Sequence, residues 1–261
     1  MTYLEDTETI YEELIRRGDP RVGNWLFMQS PVPVVILFIL YNSMVYFGPQ
    51  MMKNREPWDL QYIIAIYNGL LVLLSVYMFT EFLTVSLLAD YSYTCQPVDY
   101  TDNPLAIRMA NVCWWFFFSK LIELLDTVFF ILRKKFNQLS FLHVYHHCTM
   151  FLIYWSGVKY VAGGQSFFIP MLNSFVHIFV YSYYGLAVLG PKIQKYLWWK
   201  KYLTKFQLVQ FVAFIIHSGY NLLIDCDFPK GFSLAAFLYP FTLIVLFGNF
   251  YYQSYVKYKR T

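Results

Sequence analysis

The chain has 261 residues, 58% of them hydrophobic, 22% aromatic and only 14% charged, with a formal net charge of +4. Soluble domains carry about 25% charged residues, so this balance excludes an ordinary soluble fold and points to a protein that lives in lipid. No nucleic-acid partner is expected.

Residues 1–30 are polar, with six acidic and three basic side chains, and they lack the apolar core of a cleavable leader. The first apolar helix is therefore expected to act as an uncleaved targeting signal. Seven apolar stretches follow, at 31–49, 61–88, 107–131, 140–161, 166–189, 205–224 and 232–254, each near the ~20 residues that a bilayer requires. The fourth and fifth are parted only by Gly163-Gly164-Gln165. The expected fold is all-α, a polytopic membrane protein of about seven transmembrane helices forming one integral membrane domain over 1–261. Within it lie a polar lumenal segment at 1–30, a helical bundle over about 31–254 and a basic cytosolic tail at 255–261.

Charge assigns the two sides. Lys53 and Arg55, then Arg133, Lys134 and Lys135, then Lys192, Lys195, Lys200, Lys201 and Lys205, then Lys257, Lys259 and Arg260 all fall on one side of such a bundle. Arg16, Arg17, Arg21, Arg108, Lys159 and Lys230 fall on the other. By the positive-inside rule the richer side is cytosolic, so the N-terminus faces away from the cytosol. Cys95 and Cys226 then share the non-cytosolic side, where disulfides persist, and a bridge between them is expected. Cys113 and Cys148 lie in apolar segments and read as packing residues. Lys257 and Lys259 stand fifth and third from the terminus, the spacing of a cytosolic dilysine signal for return to the endoplasmic reticulum.

Four constellations could carry chemistry. The third stretch holds Lys120, Glu123 and Asp126; Lys120 and Glu123 at i and i+3 also suit a self-neutralising structural pair. The fourth opens with His143, His146 and His147, three of only five histidines in the chain, at a spacing that puts them on one helix face. In the fifth, Asn173, His177, Tyr181 and Tyr184 form one polar stripe, and in the sixth Gln207, Gln210, His217 and Asn221 form another. A lone polar residue in a membrane helix is usually interhelical glue. Two stripes and a histidine triplet instead suggest a lined cavity, apolar along its walls and polar at one end, suited to a long acyl chain with a reactive head. The triplet admits acyl transfer through a nucleophilic imidazole, a single zinc or iron held with His177, or plain packing. A di-iron site needs more histidines than the chain has.

Taken together, Lys120-x-x-Glu123-x-x-Asp126-Thr127, His143-x-x-His146-His147, Asn173-x-x-x-His177-x-x-x-Tyr181-x-Tyr183-Tyr184 and Thr204-x-x-Gln207-x-x-Gln210-Phe211 resemble the fatty-acid elongases of the endoplasmic reticulum, the very-long-chain 3-oxoacyl-CoA synthases. The likeness runs from Asp19-Pro20-Arg21 to the C-terminal lysines, and Gly48-Pro49 and Gly190-Pro191 look like the animal branch. It implies seven helices, six of them around a closed-ended acyl tunnel, in a multi-pass protein with a lumenal N-terminus and a cytosolic C-terminus. It also implies condensation of a long-chain acyl-CoA with malonyl-CoA to 3-oxoacyl-CoA, CO2 and CoA, with no cofactor and no metal.

By that resemblance His146 is the nucleophile, His147 and His143 orient it and shuttle protons, and His177 faces it with Asn173 nearby. Lys120, Arg133, Lys134, Lys200 and Lys205 would neutralise the CoA phosphates at the mouth, Tyr183 and Tyr184 would line the pantetheine path, and Glu123, Asp126, Tyr181, Gln207 and Gln210 would complete the substrate site. Val180 stands where many relatives carry Met, which bears on chain preference. Membrane lipid, the reductases and dehydratase of an elongation cycle, and a second copy of the chain are the implied partners. The competing readings are a seven-helix lipid-binding or transport protein without chemistry, and a histidine-metal membrane oxygenase. Against a receptor, no Asp-Arg-Tyr follows the third stretch and no Asn-Pro-x-x-Tyr ends the seventh.

Overall fold

The computed structural model describes residues 10–257, so Lys259 and Arg260 of the basic tail lie outside the described residues, and Lys257 ends them exposed. Every regular element among the described residues is helical. Residues 10–16 are helical, and a single 3-10 turn follows at Pro20–Val22. The main helices are α1 Val32–Met52, α2 Gln61–Leu88, α3 Pro104–Glu123, α4 Leu125–Leu132, α5 Phe141–Val161, α6 Phe168–Val188, α7 Lys200–Leu223 and α8 Lys230–Tyr251.

Two of these helices start on local signals. Asn103 caps α3 by accepting from the Leu105 N–H at 2.9 Å, with Pro104 as the first helical residue. Ser140 caps α5 by accepting from the His143 N–H at 3.2 Å, which fixes where the histidine triplet enters its helix. The third apolar stretch is not one continuous helix but α3 and α4, hinged at Leu124. Neither proline nor glycine marks the break. The Leu124 N–H bonds back to Leu121 and the Thr127 N–H to Leu124, each at 3.2 Å, and these i to i−3 bonds tighten the backbone there.

Helix contacts close a ring, α2 to α3 to α5 to α8 to α7 to α6 and back to α2, with α1 outside against α4 and α5. Four helices, α1, α2, α7 and α8 (the last extended to Val256), are long and apolar enough to cross a membrane. The other members of the ring, α3, α5 and α6, have 20 to 21 residues but carry Arg108, Lys120 and Glu123, the histidine triplet, and Asn173 with His177, which dilute their apolarity. Ile36, Ile39 and Leu40 on α1, and Ile63, Ile66, Leu70 and Leu73 on α2, are exposed on the outside of the bundle. Greasy outer faces over an all-helical backbone are what lipid demands, since a helix satisfies its own backbone polar groups. The chain is an all-α polytopic membrane protein.

One end of the ring is sealed. Arg21 pairs with Asp19 at 2.5 Å and donates to the carbonyls of Ala106 at 3.1 Å and Ala162 at 2.7 Å, so one guanidinium ties the N-terminal segment to α3 and α5. Lys159, buried in α5, donates to the Met28 carbonyl at 2.9 Å. The indoles of Trp114 and Trp155 donate to the carbonyls of Leu26 and Phe27. At the same end a disulfide joins Cys95, in the loop after α2, to Cys226, in the loop before α8. Gly164 makes this closure possible: its φ is +54°, and a Cβ there would meet the Val98 backbone nitrogen at 2.8 Å. Only glycine accepts both constraints.

Candidate active site

Inside the ring lies a mostly apolar cavity of about 610 Å³, lined by α3, α5, α6, α7 and α8. On α5 the lining runs His146, Met150, Ile153, Gly157 and Val161, the i, i+4, i+7, i+11, i+15 succession of one helix face. Of the triplet, His146 is the member that lines the cavity, and Asn173 of α6 lines it too.

The other two histidines stand behind. His143 and His147 have ring centroids 4.2 Å apart, and the His147 and His146 rings lie 5.4 Å apart. The His143 Nε2 is 2.8 Å from the Thr127 hydroxyl, which is 3.0 Å from the Tyr41 hydroxyl. This chain of three groups links α1, α4 and α5 and holds one imidazole nitrogen in place. On the neighbouring face of α5, Tyr145 donates to the Thr242 hydroxyl at 3.0 Å and the Thr149 hydroxyl lies 2.6 Å from that of Tyr239, so α5 is braced against α8 at the level of the triplet.

A second polar group backs Asn173. Lys120 and Glu123 form a buried ion pair at 2.7 Å, each side chain only 3% exposed. The Lys120 ammonium also reaches the Asn173 Oδ1 at 3.4 Å and lies 4.4 Å from the centre of the Phe116 ring. The Asn173 amide nitrogen donates to the Gln210 Oε1 at 3.4 Å. The Glu123 carboxylate faces His177 Nδ1 at 3.6 Å, a close contact rather than a hydrogen bond, and His177 packs on Tyr181 at 5.1 Å. Asn173 is thus fixed at both ends of its amide.

The structure therefore brings together His143, His146 and His147 on one side, and Lys120, Glu123, Asn173, His177, Tyr181 and Gln210 on the other. Lys120, expected among the cations at the mouth, lies buried inside the ring against Glu123 and Asn173, where a buried ammonium must be paired. Arg133, half-buried, and Lys134 follow α4, with Lys134 donating to the Lys53 carbonyl at 3.1 Å. Lys200 and Lys205 are exposed at the start of α7. Tyr183 packs with Trp199 in an apolar cluster with Val176, Val180 and Leu203, and Tyr184 is 46% exposed. Neither tyrosine lines the cavity. Asp126 and Gln207 are half-buried and also stand off its lining. Among the described residues, no three His, Cys, Asp or Glu side chains are grouped so as to hold a metal ion. Sequence reasoning missed Tyr41, which meets Thr127, and two residues of the cavity lining, Tyr154 and Gln165. The two tyrosines sit in apolar runs that carry no mark of function, whereas Gln165, a polar residue between two glycines and a helix, did carry a signal.

These features define a class: a polytopic membrane protein whose helices enclose a long apolar cavity with an imidazole at one end. The model of the ELO: GNS1/SUR4 family matches residues 26–261. Very long chain fatty acid elongase 4 of Macaca mulatta is 52% identical over 259 residues, covering 99% of this chain and 82% of that protein. The Homo sapiens elongase 4 is 51% identical over the same length and shares. Very long chain fatty acid elongase 7 of Rattus norvegicus is 46% identical over 260 residues, covering 97% of this chain and 92% of that one. The chain belongs to the ELO (GNS1/SUR4) family of fatty-acid elongases.

Proposed function

We propose that this protein is the condensing enzyme of a fatty-acid elongation cycle, joining a long-chain acyl-CoA to malonyl-CoA through an acyl-imidazole on His146. One observation carries the reading: of the triplet, His146 is the histidine on the wall of the apolar cavity, which the doubly held Asn173 amide also lines.

The acyl tail lies along the apolar wall and brings its thioester to the imidazole. A ring nitrogen attacks the carbonyl carbon, the carbon–sulfur bond breaks, and CoA leaves as the thiol with the imidazole proton. His147 and His143, edge-on and tilted in succession behind His146, pass that proton, and Thr127 keeps His143 oriented. The second N–H of the Asn173 amide is available to the developing oxyanion. Malonyl-CoA then binds and its carbon–carboxylate bond breaks, releasing CO2. The electron pair left behind attacks the held acyl carbon, and the imidazole departs and takes up a proton from water in place of the one that left with CoA. The product is a 3-oxoacyl-CoA longer by two carbons. Dividing one difficult condensation into two acyl transfers lowers each barrier, and neither step calls on a metal or an organic cofactor.

The same reading places seven spans in the membrane of the endoplasmic reticulum, the sealed disulfide end in the lumen and the C-terminal tail in the cytosol. The bias of lysine and arginine towards the His146 end supports this orientation. Arg133, Lys134, Lys200 and Lys205 then flank the mouth where the CoA phosphates arrive, and reductases and a dehydratase consume the product. The test is direct. Purified protein or microsomes carrying His146→Ala should incorporate no labelled malonyl-CoA into acyl product, whereas near-normal incorporation by that variant would overturn the assignment.

A further inference from the structure

The end of the cavity farthest from His146 is polar, although the tail of a fatty acid ends there. At the 1.5 Å rise of a helix, α5 carries the wall about 22 Å from His146 to Val161. Just beyond, Gln165 lines the cavity from the turn between α5 and α6, opposite His217 and Asn221, one turn apart on α7. Behind them the cluster of Val161, Cys226 and Phe228 closes the end.

Each of the three residues keeps one buried atom without a partner: Gln165 Oε1, His217 Nδ1 and Asn221 Oδ1. Among the described residues only two other side-chain atoms share that condition, on Asn68 and Tyr255, and neither residue lines this cavity. The remaining atoms are committed. The Gln165 amide nitrogen donates to His217 Nε2, and the Asn221 amide nitrogen donates to the His217 carbonyl at 2.8 Å. The His217 ring is stacked on Phe168 at 3.9 Å, so it cannot swing away. His217 Nε2 also lies 3.2 Å from the Tyr93 carbonyl, so it faces both an amide donor and a carbonyl acceptor, and Nδ1 is the ring nitrogen left unused. The trio then offers two unused amide oxygens, which accept, and one unused ring nitrogen, which donates or accepts with the tautomer. A floor meant for a methyl group would be apolar, since buried polar atoms left unpaired are costly.

We infer that this floor is a second recognition site, for a hydroxyl at the far end of the acyl chain. A hydroxyl both donates and accepts, so it can give its proton to an amide oxygen and meet the unused Nδ1 nitrogen in either tautomer. The apolar length between His146 and the floor selects chains whose terminal oxygen just reaches it. The inference rests on the condensing-enzyme reading for how the chain enters, and goes beyond it in naming a substrate class, the ω-hydroxyacyl thioesters.

The experiment pairs acyl-CoAs of equal length, one ending in methyl and one in an ω-hydroxyl, over a ladder of lengths, with labelled malonyl-CoA and the full-length protein. At the length that spans the cavity, the hydroxylated chain should be elongated at least as well as its methyl partner. That ratio should fall about tenfold in His217→Phe and in the double variant Gln165→Leu with Asn221→Leu. Rejection of the hydroxylated chain by tenfold or more at every length would overturn the inference. So would a ratio unchanged in the variants, the result expected if the floor holds only water. Should the variants not yield folded protein, the ratio in the unaltered protein decides alone. Product from methyl chains with none from hydroxylated ones strikes only the floor site; no product from either strikes the condensing-enzyme reading and this inference with it.

Discussion

Glu123→Gln leaves the Lys120 ammonium inside the ring without its carboxylate, which stands at 2.7 Å in the folded protein. With both side chains almost wholly buried, breaking such a pair costs about 3–5 kcal/mol, most of it the penalty of an uncompensated charge. The Phe116 ring beneath the ammonium offsets part of this, by ~2 kcal/mol or less, so ~3 kcal/mol is expected for Glu123→Gln. Lys120→Met strands the carboxylate instead, beside Ser119 and His177, and should cost about 3–5 kcal/mol. Replacing both residues, Lys120→Met with Glu123→Leu, removes the two charges together and should come within ~1 kcal/mol of the parent. The cycle is read from thermal unfolding of detergent-purified protein, and the two single changes should be strongly non-additive. The double variant should nevertheless be nearly inactive, because the Asn173 amide loses its lysine. Additive destabilisation in the double variant, or full activity in it, would refute the claim that this pair exists to hold Asn173 and His177.

Thr127→Val keeps the shape of the side chain but removes the hydroxyl between Tyr41 and His143; kcat should fall roughly tenfold, the equivalent of about one buried hydrogen bond, with KM little changed in steady-state assays. Cys95→Ser or Cys226→Ser opens a loop with a sequence separation of 131, and loop-closure entropy predicts a loss of ~5 kcal/mol, checked as a lower Tm that excess reductant reproduces in the parent and leaves unaltered in the variant. Lys200→Gln and Lys205→Gln should each raise the KM for acyl-CoA about two- to five-fold and weaken its salt dependence, as exposed charges contribute ~0.2–1 kcal/mol; equal KM values at low salt would remove them from the CoA mouth.

Much of this molecule was legible in its residues because a bilayer leaves few choices. Apolar length alone marks α1, α2, α7 and α8, and the period of the polar stripes shows which faces of α5, α6 and α7 turn inward. The hinge at Leu124 was not legible, since it carries neither glycine nor proline and arises where Glu123 and Thr127 are both drawn into the core. The surroundings of Lys120 were legible only in part. Its i, i+3 spacing to Glu123 shows in the sequence, but its reach to Asn173 at 3.4 Å does not. The i, i+3, i+4 spacing put three imidazoles on one side of α5 without saying which of them meets the cavity. That follows from the Ser140 cap and from Thr127, which turn His143 towards α4 and leave His146 on the wall. Tyr41 could not be found at all, because a tyrosine in an apolar run looks like any packing residue until its hydroxyl meets Thr127.

On the proposed mechanism, an imidazole carries the lipid between two thioesters. Intact-protein mass spectrometry after incubation with long-chain acyl-CoA alone, without malonyl-CoA, tests this most directly. The spectrum should show one acyl group added, mapping by peptide fragmentation to His146, absent from His146→Ala and discharged when malonyl-CoA is supplied. An unmodified mass from protein that still elongates the same acyl-CoA would contradict it.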